Sequence, residues 1–488
     1  MDQRSGSIGR WRTELTADPV LSFLEQDRAA ALERLMALLR CPSVSTDPAY
    51  AQGMGAAREL LMARLARAGF GHVREISAGG HPAIYGEWCG QPGRPTFLVY
   101  GHYDVQPPDP IADWSSPPFE PRIVDGRIRA RGVSDDKAPL SIAIEAMAGF
   151  LHVEGRLPVN VKLLLEGEEE CGSATLGQIC ERHRDLLAAD AVISADGARW
   201  RTDLCTVNVG SRGNAALEFS LTTAARDLHS GRFGGATVNA LHAMARLLAS
   251  LHEADGRVAV EDFYDDARLP EAADLAMLAR IPFDESGFFR EFSGRPHGEP
   301  GYGTLARLWL RPTLEMNGMW GGYTGAGAKT IVPHRAEAKL TMRLADGQDP
   351  ARVVAAVRRH LKNHCPAGAQ LDFRDTSPGS RAYTVPENHP LLLAVERTLA
   401  DVTGAQPVRV RIGATLPLSD IVSTRLGLDT VMFSFSTADE KFHAPDEFFR
   451  LASFDKGLRA WVLLLRRLGL QTPYDYARFQ HRPERPSA

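Results

Sequence analysis

At 488 residues the chain is too long for one ordinary hydrophobic core, so two domains are expected. Its 44% hydrophobic and 24% charged residues match soluble globular proteins and exclude a disordered, collagen-like or coiled-coil chain. A formal net charge of -4 offers no attraction to nucleic acid or an anionic membrane.

Six cysteines (Cys41, Cys89, Cys171, Cys180, Cys205 and Cys365) are widely spaced and form no C-x-x-C pair. They read as reduced, mostly buried thiols of a cytoplasmic protein rather than a disulfide framework. Residues 1–18 are polar and lack the apolar stretch of a signal peptide. The longest apolar run, 460–465, is far too short to span a bilayer, so a soluble protein is expected.

Apolar residues recur at helical spacing over 27–40 and 60–68. Short apolar runs at 97–100, 161–165 and 191–194, bounded by Gly, Pro or charge, read as buried strands. A proline-rich loop follows the first, and a helix is expected over 140–151. Strands alternating with helices predict an α/β domain whose mixed sheet is largely parallel and flanked by helices. From about Gly210 the texture changes: alternating segments at 216–221 and 336–344, a helix over 238–252, and a Pro/Gly-rich region over 282–327. This reads as an inserted α+β domain. The α/β texture returns near Tyr383, with a helix at 391–402 and a strand at 430–435. The expected division is therefore 1–210 and 381–488 for the first domain and 211–380 for the insert.

Each strand candidate in the first part runs into acid or histidine. The first leads to His102 and Asp104, the second to Glu166, Glu168, Glu169 and Glu170, and the third to Asp196. In open α/β sheets ligands bind beyond the carboxyl ends of strands, so these groups can converge on one crevice. Asp135 and Asp136 precede a helix, and His443 follows a late strand. Singly, each has an ordinary explanation: a paired turn, a solvated acidic run, helix capping or a surface histidine. Together they supply what a hydrolytic two-metal centre requires, namely imidazole nitrogen, carboxylate oxygen and one anion shared between the cations.

At these residues the sequence resembles the M20 metallopeptidases, particularly their dipeptidase branch. The matching stretches are Gly101-His102-Tyr103-Asp104-Val105-Gln106-Pro107, Arg131-Gly132-Val133-Ser134-Asp135-Asp136-Lys137 and Glu166-Gly167-Glu168-Glu169-Glu170-Cys171-Gly172-Ser173. Asp227-Leu228-His229-Ser230-Gly231, Trp320-Gly321-Gly322-Tyr323-Thr324-Gly325 and His443-Ala444-Pro445-Asp446-Glu447 follow in the family's order.

The resemblance implies two divalent cations, zinc with manganese or cobalt as alternatives. His102 and Asp196 would hold one, Glu170 and His443 the other, and Asp135 would bridge them. Asp190 stands as the alternative to Asp196. Asp104 would orient the His102 ring, Glu169 would be the general base, and a non-proline cis peptide would follow Asp135. The inserted domain would be a lid and dimerisation domain. His229 would act across a homodimer, and Arg343, Thr330 and Asn208 would contact substrate. The expected reaction is hydrolysis of a dipeptide amide bond, the alternative being a deacylase or carboxypeptidase acting on N-acyl or N-succinyl amino acids. No nucleic-acid or membrane partner is expected.

Two other readings fail on the residues. Gly322 to Thr330 nearly spells a phosphate-binding loop, but Ala328 separates Gly327 from Lys329, no strand is expected before it, and Pro333 blocks a following helix. Gly210-Ser211-Arg212-Gly213 is not the G-x-S-x-G of a serine hydrolase.

Overall fold

The computed structural model describes residues 18–374 and 378–480. The stretch read for a signal peptide lies, but for Asp18, outside the described residues. The chain divides into two compact units: one of residues 1–209, 385–410 and 417–488, the other of residues 210–384 and 411–416.

The first unit opens with helix α1 (Pro19–Gln26), which the sequence reading missed. Asp18 caps it, accepting from the Val20 and Leu21 amides at 2.8 and 3.2 Å, and Pro19 occupies the first turn. Helices α2 (Arg28–Leu39) and α3 (Ala51–Ala68) follow. Strands β1 (Gly71–Ile76), β2 (Ala83–Trp88) and β3 (Thr96–His102) lead to helix α4 (Ala138–Glu154), then β4 (Asn160–Glu166) and β5 (Ala191–Ser194). Almost every α4 residue from Ala138 to Phe150 is buried, as expected of a helix apolar all round.

The second unit is an antiparallel sheet backed by helices. Its elements are β6 (Gly213–Thr222), α5 (Ala240–Ala249), β7 (Thr313–Gly321), β8 (Arg335–Leu344), α6 (Pro350–His364) and β9 (Gln370–Arg374), with strand order β7-β8-β6-β9. Alternate residues Ala336, Ala338, Leu340, Met342 and Leu344 of β8 face the core with Leu217 and Phe219 of β6, Met244 and Leu247 of α5 and Val357 of α6. The other face carries charge, including Lys339–Glu218 at 2.9 Å and Arg374–Glu337 at 2.7 Å. β7 lies inside the region read only as Pro/Gly-rich. It also corrects one ground against the phosphate-binding loop, because a strand does end at Gly321. The other two grounds stand: Ala328 still separates Gly327 from Lys329, and strand Ile331–Val332, not a helix, follows.

Back in the first unit come helix α7 (Pro390–Thr403), strand β10 (Thr430–Met432) and helix α8 (Leu451–Leu468). The six-stranded sheet has the order β1-β2-β4-β3-β5-β10. β4, β3, β5 and β10 run parallel, and β2 and β1 complete the sheet antiparallel. The carboxyl ends of β3, β4 and β5 therefore lie side by side. The expected α/β fold with an α+β insert is the fold found. No described helix is long and apolar enough to cross a membrane. All six cysteines are free, but only Cys180 is buried while Cys89 and Cys171 are exposed, which corrects the expectation of mostly buried thiols.

Candidate metal centre

His102 ends β3, Glu169 and Glu170 follow β4, and Asp196 follows β5. Asp135 lies in the turn before α4 with extended dihedrals (φ -126°, ψ 91°), and its bond to Asp136 is cis. Two glycines let this turn in. A Cβ on Gly101 would sit 2.8 Å from an Asp136 carboxylate oxygen, and one on Gly132 (φ 75°) would sit 2.0 Å from Val105.

Asp135 is the centre of the cluster. His102 Nε2 lies 3.0 Å from its Oδ1, and His443 Nε2 lies 3.0 Å from its Oδ2. Glu170 Oε2 is 3.2 Å from His443 Nε2. Two donor groups result, each within 4.8 Å: His102, Asp135 and Asp196 in one, and Asp135, Glu170 and His443 in the other. All are nitrogen or oxygen donors of the kind zinc, manganese and cobalt accept. His102 Nδ1 lies 3.1 Å from the Asp104 main-chain oxygen and 3.4 Å from its carboxylate, which fixes the ring and leaves Nε2 facing the cluster.

The electrostatics fit a cation pair. Burial raises Asp196 to about 6, with Asp135 and Glu170 adding to the rise against the pull of His102. Burial likewise holds Glu169 and Glu170 above the ordinary carboxylate range, and each feels the neighbouring acids. Asp135 alone is held low, the two imidazoles overcoming its burial. Its partner His443 is raised to about 10 by Asp135 and Glu170. Buried negative charge thus exceeds what two imidazoles balance, and an N/O donor set with that imbalance suits divalent cations.

Residues 168–170 have three different roles, and the acidic run is not a solvated one. Glu168 is buried and accepts from the His81 amide at 2.9 Å and the Thr175 amide and hydroxyl at 3.1 and 2.5 Å. Glu170 is held by Gln106, whose Nε2 donates to its main-chain oxygen at 2.9 Å and its Oε2 at 2.8 Å. Glu169 accepts no side-chain hydrogen bond among the described residues. Asp104 Oδ2 accepts from the Ser45 hydroxyl at 2.7 Å and the Glu170 amide at 3.0 Å. Asp190 lies at the other end of β3, accepting from the Thr96 amide at 2.7 Å, apart from the cluster.

His229, Thr330 and Arg343 belong to the second unit. His229 caps the short helix Ser230–Phe233, its Nδ1 accepting from the Gly231 amide at 3.0 Å. The Thr330 main-chain oxygen accepts from the Ser230 amide at 3.0 Å, so Thr330 sits beside His229, just before the strand Ile331–Val332 that pairs with Leu228–His229. Arg343, on β8, donates from Nη1 to the Thr415 hydroxyl at 2.9 Å. Asn208, in the first unit, donates from Nδ2 to the Met432 sulfur at 3.0 Å.

Sequence reasoning passed over several residues that brace the cluster. Gln106 and Glu447 stood inside the quoted motifs without a role. Ser45 and Glu440 carried no signal at all, since their contacts are made across the fold.

A strand-end cluster of acids and imidazoles on a largely parallel α/β sheet has the donor set of a metal-dependent hydrolase. The model of peptidase family M20/M25/M40 matches residues 98–467, and the chain belongs to that family. It is 27% identical over 399 residues to the Beta-Ala-His dipeptidase of Mus musculus, covering 80% of each chain. It is 24% identical over 483 residues to the Cys-Gly metallodipeptidase dug1 of Schizosaccharomyces pombe, covering 94% of this chain and 100% of that one. Among solved structures, the M20 family metallo-carboxypeptidase Sso-CP2 from Sulfolobus solfataricus is similar at a TM-score of 0.80 and 29% identity, with 90% of this chain and 99% of that chain covered.

Proposed function

We propose that this chain is a two-metal dipeptidase in which His102 and Asp196 hold one divalent cation, Glu170 and His443 hold the second, and Asp135 bridges them. One observation carries the reading: two imidazole Nε2 atoms face different oxygens of a single half-buried carboxylate, each at 3.0 Å. When bound, such a cation pair supplies Lewis acidity, acidifying water and polarising a carbonyl oxygen. Zinc suits the donors, as do manganese and cobalt.

The protein's own groups do the rest. Glu169, the one acid of 168–170 with no side-chain hydrogen-bond partner among the described residues, takes the proton of the attacking water and returns it to the departing amine. Asp104 keeps the His102 ring in the tautomer whose Nε2 lone pair faces the cluster. Arg343 pairs with the substrate's terminal carboxylate through its guanidinium fork. His229 donates to the developing oxyanion, and Thr330 lies beside it.

Dipeptide substrates are favoured because two of the similar proteins are named as dipeptidases. The second reading, a carboxypeptidase or a deacylase of N-acyl amino acids, draws on the 29% identity to Sso-CP2. A homodimer in which His229 serves the partner's site is supported by the edge strand β7. β7 pairs on one side only among the described residues and exposes Met316, Met319 and Trp320. We place the enzyme in the cytoplasm on its free, widely spaced cysteines.

Purified protein incubated with dipeptides and N-acyl amino acids, with and without chelator, tests the reading through release of free amine. Chelator-sensitive cleavage of dipeptides is expected. Cleavage of N-acyl amino acids alone would select the second reading, and undiminished cleavage by metal-stripped protein would end both.

A further inference from the structure

The turn that carries Asp135 does not hold itself in place. Gly132, Ser134 and Asp135 present main-chain amides that no helix or strand uses. All three point at one buried side chain 312 or more residues away, Glu447. Glu447 Oε2 accepts from the Gly132 amide and Arg131 Nη1, both at 2.8 Å. Its Oε1 accepts from the Ser134 amide at 2.8 Å and the Asp135 amide at 3.2 Å. Four donors and no acceptor surround the group, and Glu447 and Arg131 are each 1% exposed.

Glu447 closes the same loop that carries His443. That loop holds Lys441, His443 and Asp446 at φ of 59°, 58° and 60°, left-handed values that cost a non-glycine residue about 1–3 kcal/mol unless the surroundings impose them. Its other end is pinned to the same turn. The Ser134 hydroxyl donates to Glu440 Oε2 at 2.5 Å, and the Ser436 hydroxyl donates to the Ser134 main-chain oxygen at 2.6 Å.

We infer that Glu447 is a positioning residue: by gripping the amides of Gly132, Ser134 and Asp135 from the His443 loop, it sets both the direction of the Asp135 carboxylate and the place of His443 opposite it. The inference rests on the reading of Asp135 as the bridge between two cations. The chemistry of the grip demands a carboxylate. A glutamine offers one oxygen and one NH2 group, so whichever way it is turned, two of the four donors meet another donor. An aspartate keeps both oxygens but is one methylene short.

Cobalt(II) is the probe, because its visible absorption reports ligand number and geometry independently of turnover. Residues that orient ligands this way typically change metal affinity about 10–100-fold when replaced. Glu447→Gln is expected to bind cobalt at least about tenfold more weakly at both sites, with an altered spectrum. Glu447→Asp should lose less, and it carries the test alone if the glutamine variant does not fold. Glu145→Gln, which breaks a buried ion pair elsewhere in the same unit, is the control for lost stability and should keep the wild-type cobalt affinity and spectrum. Wild-type affinity and spectrum in the Glu447 variants would overturn the inference, as would an equal loss in the control. Asp135→Asn separates the two levels: if it still binds both ions, the bridging reading itself falls.

Discussion

Replacing Glu169 with glutamine should separate chemistry from metal binding. Glu168 has both oxygens engaged by the His81 and Thr175 groups, and Glu170 is engaged by Gln106 and His443. Glu169 is the acid left over, and it belongs to neither donor group. Loss of a general base costs about 10²–10⁴-fold in rate, or about 2.7–5.4 kcal/mol of barrier. The structural term has the opposite sign. Burial, with repulsion from Asp196, Asp135 and Glu170, outweighs the attraction of His102 and disfavours the Glu169 carboxylate, so a neutral glutamine relieves strain in the metal-free protein. Steady-state kinetics on a cleaved dipeptide, metal content by elemental analysis and melting of the chelated protein would be measured together. The expected result is a kcat lowered about 10²–10⁴-fold, two ions per chain, and a metal-free melting temperature equal to or above the wild type's. Turnover within tenfold of the wild type with both ions bound would refute the assignment, and lost ions would make Glu169 a ligand instead.

Glu145 on α4 joins α2 and α3 through Arg34, at 2.7 Å, and the buried Arg64. Glu145→Gln should cost about 3 kcal/mol, since a buried partner is left unpaired, measurable by urea denaturation at pH 7. Burial opposes ionisation of Glu145, but the two arginines outweigh it and depress its pKa. Its stabilisation is therefore complete above the unfolded value and fades as pH falls through the folded one, so the difference from wild type should shrink below about pH 4. A difference constant from pH 7 to pH 3 would contradict this. Metal ions should raise the melting temperature of chelator-stripped protein in proportion to log concentration, worth about 2.7 kcal/mol at 100 times Kd; a melting curve indifferent to zinc, manganese and cobalt would count against the site. Met316→Lys with Trp320→Lys on the β7 edge should shift a dimer to monomer in analytical ultracentrifugation while each chain still folds, and an unchanged sedimentation coefficient would place any interface elsewhere.

The parallel strands were legible because strands buried on both faces are written as nearly unbroken apolar runs, and β3 and β4 end in His102 and Glu166 while β5 runs on to Asp196. α1 was missed although Asp18-Pro19 is a plain start signal, because the helix is short and closely followed by α2. β7 was missed for a physical reason. Its pairing with β8 slips between Met316 and Gly318, and its large apolar residues face outward at an open edge, so neither alternation nor a buried run marks it. The exposure of Cys89 and Cys171 is likewise a property of the fold. In the candidate site, residue types and strand ends carried the cluster itself. The bracing contacts (Ser45 to Asp104, Glu440 to Ser134, Glu447 to the Asp135 turn) join positions 59 to 313 residues apart and leave no local pattern.

A cluster holding Asp104, Asp135, Glu169, Glu170 and Asp196 around two imidazoles works against the stability of the protein that builds it. Burial raises the pKa of Glu169, Glu170 and Asp196, and the neighbouring acids raise each further. Such an arrangement persists only if the backbone beneath it is fixed by contacts made outside the cluster. Here those contacts are the parallel strand ends, the largely buried α4, and the grip of one distant carboxylate on four donors in the Asp135 turn. The division of labour follows from energetics. Backbone, packing and the Glu447–Arg131 pair set the positions, while the acids and imidazoles of the cluster are left with affinity that a divalent cation pair can meet. Loosening the grip of Glu447 on the Asp135 turn should therefore weaken metal binding before it unfolds the domain, whereas neutralising Glu169, an acid of the cluster in neither donor group, should leave the frame intact or firmer.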